Sequence, residues 1–162
     1  KGGVRITSFS PDSLLPANVR EICLGTNIVS LGEEFIGLMH YAPNVERVYI
    51  DEKNTRLKAH CGVVYTKNNS QLIYIPNAMP VVELLPIAVM EKNYVANIRG
   101  MEELIIAPGT MRMEAYAVEN CPKLRRAYVP EDTEIAPNAF YSVHPDFEII
   151  RGDLTCIPEI TM

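Results

Sequence analysis

Tryptophan is absent from this 162-residue chain and phenylalanine is scarce, with four residues. Aromatic character rests on eight tyrosines, side chains that sit well at half-exposed positions. Positive charge is in deficit, with 15 Lys and Arg against 20 Asp and Glu and a formal net charge of −5. A general role on phosphate backbones needs a basic face, so a nucleic-acid partner is excluded. No apolar run approaches membrane-spanning length, and membrane insertion is not expected. No secretory signal is visible, and the chain begins at Lys1 without a methionine, consistent with an upstream part that has been removed. No Cys-x-x-Cys pair exists among Cys23, Cys61, Cys121 and Cys156, so a structural zinc site is not expected. Two disulfides and buried free thiols both remain open for these four. Catalytic signatures are missing too: there is no G-x-S-x-G, no glycine-rich phosphate loop and no H-E-x-x-H.

What the chain does have is enough apolar residue, 48%, to fold as a domain rather than stay disordered. It also has twelve prolines, which suggest regularly placed chain stops.

Those stops belong to a repeat. In Asn44-Val45-Glu46-Arg47-Val48-Tyr49-Ile50, apolar residues take the first, fourth and sixth places after the asparagine. The same template catches Val19/Ile22/Leu24, Ser70/Ile73/Ile75, Met101/Leu104/Ile106, Leu124/Ala127/Val129 and Phe147/Ile150/Gly152. Sixteen of these eighteen positions are apolar, where random placement would give about half. Successive units are 26, 25, 31, 23 and 23 residues apart. The long interval is read as a loop insertion at residues 91–97. Punctuation keeps step with the strands, at Gly25, Asp51, Pro76, Pro108-Gly109 and Pro130, since proline has no N–H for a ladder. Ten to thirteen residues beyond each strand lie small helix-like pairs: Glu34-Phe35, Ala88-Val89, Ala117-Val118 and Ala139-Phe140. One unit departs. Its two β-rich arms, 62–66 and 71–75, flank Lys67-Asn68-Asn69-Ser70 and read as a hairpin.

No unit can bury its own apolar face, so the units must stack. The expected fold is an α/β repeat solenoid: a leucine-rich-repeat right-handed superhelix with short parallel strands on one face, one β-hairpin repeat, and short helical or irregular return segments. Residues 1–17 are expected to be an N-terminal cap or partial repeat, 18–152 a solenoid of about six units, and 153–162 a C-terminal tail or cap.

The stretch Glu102-Glu103-Leu104-Ile105-Ile106-Ala107-Pro108 through Ala117-Val118-Glu119-Asn120-Cys121-Pro122-Lys123-Leu124 resembles the BspA-type leucine-rich repeat. That repeat runs L-x-x-I-x-I-P and then I-x-x-x-A-F-x-x-C-x-x-L. The next unit, Leu124 to Pro130 and Ile135-Ala136-Pro137-Asn138-Ala139-Phe140, is closer still. Cys121 occupies the family's cysteine place, and Val143 stands there one unit on. The stretch from Asn54 to Pro76 is similar to a variant repeat of the same family. The resemblance covers roughly residues 18–152, although the first and third units lack the A-F-x-x-C signature. It implies a secreted or surface-attached bacterial protein, often linked to adhesion, with relatives in some protists. It brings no catalytic residues, and no cofactor or metal is expected.

Between the inward template positions the strands place Cys23, Tyr49, Tyr74, Ile105, Tyr128 and Arg151. Tyr49, Tyr74 and Tyr128 are therefore expected to line one exposed row as binding anchors, because tyrosine joins a rigid apolar body to a polar tip. The same alternation is equally served by tyrosines that only brace the sheet. Arg125, Arg126 and Glu102 flank the row, in a charge ladder that runs from Glu102/Glu103 through Arg125/Arg126 to Glu148. The partner expected is a protein or glycoprotein, with end-to-end self-association as the alternative for a spacer block. His40, His60 and His144 share no regular ligand spacing, and the adjacent His60-Cys61 points its side chains apart in extended chain. The acidic turns Asp51-Glu52 and Glu131-Asp132 read as solvated turns before calcium sites. Asn68-Asn69-Ser70 is a glycosylation sequon at the hairpin tip.

Overall fold

A computed structural model of the chain describes residues 3–8, 15–40 and 42–152. The 153–162 segment, and Cys156 with it, lies outside the described residues. The chain forms two compact units, divided after Pro80.

The first unit opens with a parallel sheet of β1 (Gly3–Ile6), β2 (Glu21–Leu24) and β3 (Arg47–Ile50), in that spatial order. Alternation makes these strands two-faced. Ile22, Leu24 and Val48 are completely buried, while Glu21 and Tyr49 point outward. Helix α1 (Glu33–His40) crosses from β2 to β3. Its two glutamates sit in the first turn, where the helix dipole favours negative charge, and Phe35 and Leu38 supply the buried stripe. Pro43 follows shortly after its end.

After β3 the chain turns into an antiparallel sheet of β4 (Leu57–His60), β5 (Val63–Thr66) and β6 (Leu72–Tyr74). The expected hairpin is there as β5 and β6, with β4 as a third strand that the hydrophobic pattern did not show. Cys61 and Gly62 join β4 to β5 in a two-residue turn with φ of 48° and 88°, so His60-Cys61 is not extended chain. The positive φ favours glycine at position 62, and a Cβ there would also displace the Met79 methyl, 2.7 Å away.

The second unit is a repeat solenoid built from three parallel sheets. The first holds β7 (Val81–Glu83), β10 (Glu103–Ile105), β13 (Arg126–Val129) and β16 (Glu148–Arg151). The second stacks β8 (Val89–Met90), β11 (Arg112–Met113) and β14 (Glu134–Ile135). The third stacks β9 (Val95–Ala96), β12 (Val118–Cys121) and β15 (Phe140–Val143). Each coil thus visits three faces before returning above its starting point. The interior is three columns of side chains in register: Val82–Leu104–Ala127, Met90–Met113–Ile135 and Val95–Val118–Phe140. Most of these residues are inaccessible to solvent.

Three sequence expectations change here. Val82 and Leu84, not Ile73 and Ile75, lead into the rung formed by Leu104 and Ile106, because β10 pairs with β7. Ile73 belongs to the antiparallel sheet of the first unit. Residues 91–97 are therefore no insertion, for Val95-Ala96 is the regular strand β9 under β12. And the pairs at 88–89, 117–118 and 139–140 sit at strand starts rather than on helix. A two-residue apolar pair cannot nucleate an isolated helix, whereas a parallel neighbour on either side offers ladder bonds at once.

Candidate functional site

On the first sheet of the second unit, inward positions alternate with outward ones, and the outward residues form two rows. The first runs Val81–Glu103–Arg126–Glu148 and the second Glu83–Ile105–Tyr128–Ile150. The ladder expected from sequence is thus in register at Glu103, Arg126 and Glu148, and the Arg126 guanidinium forms an ion pair with the Glu103 carboxylate. Arg125 lies beside the first row and reaches the Asp146 carboxylate at 3.4 Å. Glu102 is exposed, and its backbone carbonyl accepts the Arg125 amide at 2.9 Å. Tyr128 is half-buried, and Ile150 beyond it is exposed.

The first unit carries its own outward rows, Gly3–Glu21–Arg47 and Arg5–Cys23–Tyr49. Tyr49 is 43% exposed, and its hydroxyl donates to the Glu21 carboxylate at 3.4 Å. Arg20 pairs with Glu46 just outside the strands. Asp51 accepts the Lys53 amide at 3.0 Å and pairs with Arg5 at 2.5 Å. The Lys53 amide bond is the largest effect on its carboxyl; burial opposes it, and with the bond and charge of Arg5 added the carboxyl is held below the ordinary range.

Tyr49, Tyr74 and Tyr128 do not form one row, since they belong to three different sheets. Tyr74 is a packing residue. Its ring meets Phe35 edge-on at 4.9 Å, and burial pushes its hydroxyl up to about 12, with a smaller opposing effect from the Asn77 backbone. The expectation failed at Tyr74 because the strand before Ile75 pairs antiparallel with β5.

Cys121 and His144 are held structurally. No disulfide joins Cys23, Cys61 or Cys121, and burial pushes the Cys121 thiol up, away from reactivity. His144 Nδ1 accepts the Asp146 amide at 3.0 Å, which fixes it as a turn residue.

Two sets of residues escaped the sequence reading. Asn54 is buried and fully bonded: its amide donates to the Gly25 and Ile28 carbonyls at 3.0 and 2.7 Å, and its oxygen accepts the Arg56 and Leu57 amides at 2.9 and 2.8 Å. The second set lies at the corners of the solenoid. Asn93, Tyr116 and Asn138 all have φ near 60°, as do Asn97, Asn120 and Ser142, at 22- or 23-residue steps. Tyr116 stacks edge-on with Tyr141 at 5.2 Å, and the Lys92 ammonium lies 5.5 Å from the Tyr116 ring centre. The asparagines, spaced like the strands, were the available signal for these corners.

No protein-family model matches the chain, and no curated protein does. Among solved structures it is similar to a leucine-rich repeat protein from Eubacterium ventriosum, at 16% identity and a TM-score of 0.46, over 72% of this chain and 32% of the other. It is also similar to a leucine rich cell surface protein from Faecalibacterium prausnitzii, at 13% identity and a TM-score of 0.33, over 86% of this chain and 53% of the other. The chain therefore spans about a third and about half of the lengths of these two proteins.

Proposed function

We propose that this chain is a non-catalytic, adhesion-type repeat module of the BspA kind, secreted or held at a cell surface, that binds a protein or glycoprotein through its exposed sheet faces. The observation that carries the reading is the outward face of β7, β10, β13 and β16. There a charged row, Glu103–Arg126–Glu148, runs beside half-buried Tyr128 and exposed Ile150 on a parallel sheet, while Ile105 in the same row is buried. Fixed charges beside a rigid ring give a partner both an anchor and an orientation. The surface location rests on the sequence resemblance of residues 102–140.

The test is capture from surface and extracellular-matrix extracts by the native chain and by two folded variants, Tyr128→Ser/Arg126→Glu and Tyr49→Ser. A partner lost tenfold or more by the first variant supports the reading and places the contact on the second unit. Loss by the second variant alone moves the contact to the first unit. A partner that neither variant weakens would sink the sheet-face reading.

A second reading, a structural block of a longer solenoid, is favoured by β16. No further described strand pairs with it, and Ile149, at an inward position in register with Ala127, is 40% exposed. Concentration-dependent self-association by sedimentation, abolished by Ile149→Asp, would select this reading.

A further inference from the structure

Apart from its outward strand rows, the first unit has a cavity of about 540 Å³. Three segments converge on it: residues 29–31 before α1, 55–57 at the start of β4, and the turn from β5 to β6. Its size is that of a small-molecule site and far exceeds a simple inorganic anion.

The charge lining it is one-signed. Arg56 and Lys67 both line the cavity, and they oppose each other just beyond the paired ends of antiparallel β4 and β5. The Lys67 amide donates to the Arg56 carbonyl at 2.8 Å, one step beyond the Leu57–Thr66 pair. Like charges in direct opposition destabilise a sheet, yet no acidic side chain lines the cavity. Among the described residues neither cation forms an ion pair, and the Lys67 ammonium donates to a neutral acceptor, the Glu52 carbonyl, at 3.4 Å. A bound anion would relieve this repulsion.

The rest of the lining narrows the class of anion. Ser30 and Thr55 bring hydroxyls, and Val29 and Leu31 bring an apolar surface, with Val29 57% exposed. The wall opposite is already ordered. Asn68 Oδ1 accepts the Ser70 amide at 3.1 Å, and Thr66 Oγ1 accepts the Gln71 amide at 3.0 Å. A preformed wall spares a ligand the entropy of ordering it. We infer that this cavity binds a carboxylated sugar: the carboxylate between Arg56 and Lys67, the hydroxyls on Ser30 and Thr55, and the C–H face of the ring on Val29 and Leu31. The site is separate from the sheet faces and stands or falls independently of them.

The experiment is a titration of the full chain, isotopically labelled, followed by amide NMR. Sodium glucuronate is the probe, with glucose and inorganic phosphate as comparisons. Glucuronate should shift the amides of 29–31, 55–57 and 66–70 saturably, and both comparisons should bind at least about fivefold more weakly. Arg56→Gln and Lys67→Gln should each weaken glucuronate about threefold to fivefold, the range of an exposed ion pair, while leaving the unfolding midpoint unchanged or raised. Val29→Asp, at a site too exposed to unfold the unit, should abolish binding by repelling the carboxylate. A disaccharide ending in glucuronate distinguishes the sources: equal or tighter binding indicates a glycan terminus, weaker binding a free sugar. Equal binding of glucose or phosphate, the absence of saturable shifts, or full binding by Arg56→Gln with Val29→Asp would each overturn the proposal.

Discussion

Asn54 uses every donor and acceptor of its side-chain amide to tie the 25–28 loop to residues 56–57, and it does so where water cannot substitute. Removing it leaves two carbonyls and two amides without those partners. Asn54→Ala should therefore destabilise the first unit by about 3 kcal/mol, within the usual cost of stranding buried polar groups. Urea unfolding followed by tyrosine fluorescence would show this, and the lack of tryptophan keeps that signal clean. Tyr74 makes a different demand. Its folded-state value of about 12 lies above the 10.0 of a free tyrosine, so the native state holds its proton more tightly than the unfolded chain. Its contribution is fully present below pH 10 and is lost as pH rises toward 12. Stability measured across that window should fall, and Tyr74→Phe should flatten the fall. A native protein whose stability is level there would show that Tyr74 is more solvated than its packing on Phe35 implies.

Among the elements, the corners of the second unit carry a conflict of their own. Tyr116 adopts a left-handed backbone that costs a non-glycine residue about 1–2 kcal/mol, while its stacking on Tyr141 returns about 1 kcal/mol beyond burial. Asparagine tolerates the backbone but loses the stack, and alanine loses the stack while keeping the strain. Tyr116→Asn should thus fall within about 1 kcal/mol of the native protein, and Tyr116→Ala should be about 2 kcal/mol less stable. Thermal melts of the two variants side by side decide it, and equal losses would remove the backbone from the explanation. This corner also shows where sequence reading stops. Val45/Val48, Leu104/Ile106 and Ala127/Val129 were legible because inward alternation is written directly in residue type. The partner of a strand is not. Ile73-Tyr74-Ile75 and Val82-Glu83-Leu84 alternate alike, and only the turn at residues 67–71, which folds β6 back onto β5, assigns the first to an antiparallel sheet and leaves the second to head the solenoid. The sheet-face charges were readable for the same reason as the rungs, whereas the cavity beside Arg56 depends on three segments distant in sequence.

On the scale of the whole molecule, the second unit gains its stability from neighbours rather than from any one coil. Its middle coil, β10 to β12, is stacked on both sides, while β16 is paired on one. Amide hydrogen exchange should then be slowest at Leu104, Met113 and Val118 and fastest along residues 148–151, with protection graded between them. Uniform protection across all the strands would mean that the unit opens only as a whole. The periodic spacing has another consequence, one of inheritance. Because corners, columns and ladder bonds all recur at steps of 22 or 23 residues, any cut point in one coil has an equivalent in the next. Unequal recombination between the stretches that encode two coils would add or delete a complete turn and leave both junctions already matched. In such a chain, length can drift between lineages without a new fold having to be found.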